Sequence, residues 1–162
     1  MLENFRQGAP AELWQALVRD AAGRAGHALD ESREAYLVFV LLRYQRDARL
    51  LAHTQALDWL QAHEQVGQLR ADALRDVGDR CLLVAGLFPG LARRRRVSVD
   101  YFVDLGRGAY LGVAEASRAA YAALYGQLAA GYHELVEVLG RLRGERPGQA
   151  LEWGAPAGAT RH

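Results

Sequence analysis

Residues 118–143 read RAAYAALYGQLAAGYHELVEVLGRLR. Tyr121, Leu128, Leu135 and Leu142 stand seven apart, and Leu124, Gly131 and Val138 fill the alternate positions. That is an a/d seam of more than three heptads, the periodicity of a packed helix. Tyr125, Tyr132 and Leu139 widen it. The same spacing of three and four recurs through most of the chain, so the expected fold is all-α.

Moving toward the N-terminus from that stretch, Ser117 is the expected break before a fifth helix, which Ser98 can cap with Asp100 in its first turn. Within it Gly108, Gly112 and Ala116 lie four apart and leave room for a close neighbour. Residues 91–96 form a connector with four consecutive arginines. Phe88-Pro89-Gly90 stops a fourth helix running from about Gln65, whose apolar face carries Leu69, Leu74, Val77, Cys81, Val84 and Leu87. A third helix has Leu50, Leu51, Thr54, Leu57 and Leu60 inward, and Arg43–Asp47 marks a turn or bend before it. The second helix, capped by Asp30 or Ser32, is apolar on every side from Tyr36 to Leu42, which suits the middle of a bundle or an interface. The first starts at Pro10 and ends at Gly23 and Gly26. The expectation is a single-domain bundle of about six helices over residues 1–143, with 144–162 as a flexible tail on which Trp153 could dock.

Composition narrows the function classes. The 162 residues suit one domain, and alanine (29) and leucine (25) supply a third of them. All 20 basic residues are arginine, set against 19 acids for a net charge of +1. A dedicated nucleic-acid binder needs a larger basic excess, so the run Arg93, Arg94, Arg95 and Arg96 is a weak phosphate footprint. One cysteine, Cys81, excludes a disulfide framework within the chain. The polar first ten residues do not read as a signal peptide, and the longest apolar run, Ala35–Leu42, is too short to span a bilayer. A cytoplasmic protein is expected.

One block carries a resemblance. Gly78-Asp79, Gly86-Leu87-Phe88-Pro89, Arg96-Val97, Tyr101-Phe102, Gly106 and Ala109-Tyr110 follow in an order similar to that of uncharacterised bacterial all-helical proteins. The resemblance covers about a quarter of the chain, from Arg75 to Ala114. It implies an all-helical bacterial protein and transfers no catalytic residue.

The same block holds the densest chemistry. Asp76, Asp79 and Arg80, the arginines 93–96, and Asp100 and Asp104 flank the Pro89 turn, with Asp72 and Arg107 beyond them. If the fourth and fifth helices pack antiparallel, these groups gather at one end, either as an anion pocket of arginine forks or as a salt-bridge network fixing the turn. His133 and Glu137 are weak metal candidates, because a dinuclear bundle needs a Glu-x-x-His motif twice and this chain has one His-Glu-x-x-Glu. His53 and His63 fall on different faces of their helix. No cofactor is called for, since the chain has no phosphate loop, dinucleotide fingerprint or nucleophile elbow. The leading expectation is a non-enzymatic, self-associating interaction or scaffold module, a homodimer through the sixth or second helix. The alternative is a small-ligand or anion-binding protein using the Asp/Arg set.

Overall fold

The computed structural model describes residues 2–46, 61–62 and 66–145. Seven helices are delimited among them, and no strand. They are α1 Leu2–Ala25, α2 Glu31–Arg46, α3 Gly67–Gly86, α4 Pro89–Arg94, α5 Val99–Ala116, α6 Ala119–Ala130 and α7 Tyr132–Glu145. The all-α bundle expected from the periodicity is the fold. The expected third helix, His53, His63 and the C-terminal segment with Trp153 lie outside the described residues.

Local chemistry explains most of the boundaries. Gly26 has a positive φ of 77°, and the His27 N–H donates to the Ala22 carbonyl (2.9 Å), so α1 ends in a left-handed cap. Asp30 caps α2, its Oδ1 accepting from the Arg33 N–H (2.9 Å). Ser98 caps α5 the same way, its Oγ accepting from the Tyr101 N–H (3.1 Å). Ser117 is the break after α5, as its sequence position suggests.

Four expectations change. Pro10 lies inside α1 instead of starting it, because the helix already runs from Leu2. Arg43 is not in a turn: α2 continues through Arg46. The arginine connector is itself a short helix, α4, opened by Pro89 in its first turn. The long C-terminal helix is two, split at Gly131, so α6 and α7 need not share one axis.

α3 is the centre of the bundle. It packs along α5 and α7, while α1 packs on α2 and α7, and α6 lies on α5. Every residue from Val77 to Phe88 is buried. α2, whose apolar centre suits the middle of a bundle or an interface, leaves Phe39 41% exposed. Asp79 and Arg80 interrupt the apolar pattern of α3 in the sequence, yet both are buried. The C-terminal seam faces this same core: Tyr125, Leu128, Tyr132, Leu135, Val138, Leu139 and Leu142 are buried, while Tyr121, in the first turn of α6, is 68% exposed.

Candidate functional site

Asp79 sits in the middle of α3 with its side chain 1% exposed. Tyr36 of α2 donates to its Oδ1 (2.7 Å), and Tyr110 of α5 donates to the same oxygen (2.6 Å). Arg43 of α2 donates through one guanidinium nitrogen to Oδ2 (2.9 Å) and through another to Asp76 Oδ1 (2.5 Å). A buried carboxylate unpaired would be costly; three donors from two other helices offset that cost. Burial pushes the Asp79 pKa up, to about 6, against the two tyrosine hydrogen bonds and Arg43, which lower it. Near neutral pH it is therefore an ionised acceptor.

Four tyrosines wrap this centre. Tyr110 meets Tyr36, Tyr125 and Tyr132 edge-on, with ring centroids 5.4–5.9 Å apart. Such contacts add roughly 0.5–1.5 kcal/mol each beyond burial. Tyr125 donates to the Tyr36 hydroxyl (3.1 Å), and Tyr132 donates to the Gly78 carbonyl (2.9 Å). Burial above all, then the Asp79 charge, raises the pKa of Tyr36 and Tyr110 well above the ordinary value, so both stay protonated as donors. Two glycines make the approach possible. A Cβ on Gly78 would overlap the Tyr110 ring, and one on Gly106 would overlap the Tyr132 hydroxyl.

The polar set expected around the Pro89 turn divides. α3 and α5 are antiparallel: Leu74 abuts Gly112, Tyr110 abuts Gly78 and Cys81 abuts Gly106. This register carries Asp100 toward Leu87, eight residues and about 12 Å along the axis from Asp79. Asp76, Asp79 and Arg80 belong to the buried centre, where Arg80 lies 3.9 Å from Asp76. Arg93, Arg94, Arg95, Arg96, Asp100 and Asp104 are exposed, and Asp104 pairs with Arg107 (3.3 Å). The close approach falls on Gly106 and Gly112, whereas a Cβ on Gly108 would meet nothing. Of the metal candidates, Glu137 bonds to His27 (2.7 Å), and His133 is exposed. Among the described residues no three metal-binding side chains cluster.

A cleft of about 500 Å³ lies at the opposite end of α3 and α5 from the arginine run. Gln68, Asp72 and Arg75 line it from α3, Val113 and Ala116 from α5, and Ser117, Arg118, Tyr121 and Tyr125 from the α5–α6 junction and α6. Tyr125 belongs to both the cleft and the buried centre. A hydrogen-bonded line therefore runs from the cleft wall through Tyr125 and Tyr36 to Asp79. Ala119, at the same junction, has φ +50°. A non-glycine residue in that region carries strain of the sort that collects at binding sites.

Sequence reading identified Asp76 and Asp79 but missed Arg43, Tyr36, Tyr110, Arg75 and Arg118. Tyr36 and Arg43 are seven residues apart and share a face of α2, which was a usable signal. A tyrosine inside an apolar run was another, because a buried hydroxyl needs a partner. The chain matches no family model, no curated protein and no solved structure.

Proposed function

We propose that this chain is a small-ligand-binding helical protein whose ligand seats in the cleft between α3 and the α5–α6 junction. One observation carries the reading: a cleft of metabolite size ends on Tyr125, the first member of a line of hydroxyls leading to a buried carboxylate. The strained backbone at Ala119 supports it. The ligand site thus moves away from the exposed arginines beside the Pro89 turn. We keep the cytoplasm as the setting of this reading, and no helix of the described residues is long and apolar enough to cross a membrane.

The test is native mass spectrometry of the full chain, before and after incubation with a metabolite extract. Wild type should retain or capture a small molecule. Ala116→Trp, an exposed cleft position, should lose it while keeping its helical circular dichroism. Capture by both proteins alike would show that the ligand sits elsewhere, and capture by neither would remove the reading.

Self-association remains a second reading. Leu13, Leu69 and Leu111 are about half or more exposed, and Phe39 follows at 41%. Most of the C-terminal seam packs on the chain's own core, and Tyr121 is its exposed member. Sedimentation velocity across a concentration series should show a dimer if these side chains form an interface. A single monomeric species throughout would count against it.

A further inference from the structure

We infer that the cleft selects a small organic acid, gripping its anionic head with Arg75 and Arg118. This inference rests on the cleft being a ligand site and names the class of ligand.

The charged groups that line the cleft are Asp72, Arg75 and Arg118. Asp72 is already occupied. Gln68 donates to its Oδ1 (2.8 Å), and an Arg75 nitrogen lies 4.0 Å from the same oxygen. Arg75 also donates to Asp76 (3.4 Å) through one terminal nitrogen, and about a third of its side chain (32%) stays exposed. Arg118 makes no ion pair among the described residues, and it caps α6 with its backbone alone. The lining therefore holds two cations to one anion, and that anion is committed to neighbours.

Tyr125 restricts the ligand further. Its hydroxyl proton is given to Tyr36, whose own proton goes to Asp79. Facing the cleft, Tyr125 can accept a hydrogen bond but has no proton left to donate to an oxyanion. The acid group is thus left to the arginines, whose planar forks match carboxylate and phosphate alike. Val113, Ala116 and Tyr121 offer apolar surface for the remainder of the molecule.

The experiment titrates the full chain with benzoate, phenyl phosphate and benzyl alcohol at constant ionic strength. It follows the arginine Nε–H resonances of Arg75 and Arg118 and the Val113 methyl groups by NMR. Either acid should shift both arginine signals saturably, and the tighter of the two identifies the head group. Benzyl alcohol should bind at least about tenfold more weakly, the worth of a charge-assisted bond. Arg118→Gln should weaken the acid by a similar factor and leave benzyl alcohol unchanged. If benzyl alcohol moves Val113 as readily as the acids do, the cleft binds ligands but the acid class is wrong. If no probe moves either set of signals, the cleft reading fails with it.

Discussion

Asp79 is where the fold concentrates its polar interactions. Its two oxygens serve Tyr36, Tyr110 and Arg43, and each donor comes from a helix other than its own. Asp79→Ala strands two buried hydroxyls and removes one of the two carboxylates held by Arg43. The expected loss in urea denaturation is about 3 kcal/mol. Tyr36→Phe removes one donor from Asp79 and the acceptor of Tyr125, and should cost about 1–2 kcal/mol. Equal, negligible losses for both would mean that water replaces the network at no penalty. The sequence made Asp79 visible because it sits beside Gly78 in a dense block. It hid the partners, because Tyr36 reads as one more apolar residue and Arg43 as a turn marker. The pairing itself depends on the register of α2 and α5 against α3, and no local pattern encodes that.

At the scale of elements, the glycines of the block from Gly78 to Tyr110 have a physical reading. Gly78, Gly86 and Gly106 are each at a close approach, to Tyr110, Leu139 and Tyr132. The glycines let α5 and α7 close on α3, and Tyr110 then reaches Asp79. Helix starts were legible wherever a side chain caps, as at Asp30 and Ser98. The split at Gly131 was not. A glycine in an a/d position reads equally well as a small seam residue, and the heptad count runs through it unbroken. The α5–α6 junction was legible at Ser117, but its strain was not. Ala119 there adopts φ +50°, which costs an L-residue about 1–2 kcal/mol. Ala119→Gly should therefore raise stability by roughly 0.5 kcal/mol after the added freedom of the unfolded chain is subtracted. Ala119→Val should lower it by about 1 kcal/mol or more, because β-branching is worse in that region. Thermal unfolding of the pair checks the ordering, and a more stable Val variant would show that the junction is not held left-handed.

For the whole molecule, the raised pKa of Asp79 has a definite pH signature. The folded state holds its proton up to about pH 6, against 3.8 for the ordinary carboxyl. Between those values the folded protein binds a proton that the unfolded chain has released. Stability from this group is complete below about pH 4 and is lost as pH rises through 6. The two values are about 2 pH units apart, worth on the order of 3 kcal/mol. Asp76 is the nearest other carboxylate, and it raises the Asp79 pKa as the smallest of the causes. Every other acid contributes to the acid limb of the stability curve, so wild type alone does not isolate the effect. Asp79→Asn does, because it keeps the shape and removes the titration. The stability of wild type relative to Asp79→Asn should increase by about 3 kcal/mol on going from pH 7 to pH 4. A difference that stays flat over that range would place the Asp79 pKa at its ordinary value, with the tyrosine and arginine donors fully offsetting burial. If the cleft signals of Tyr125 move with the same midpoint, the line of hydroxyls transmits the protonation of Asp79 to the ligand site.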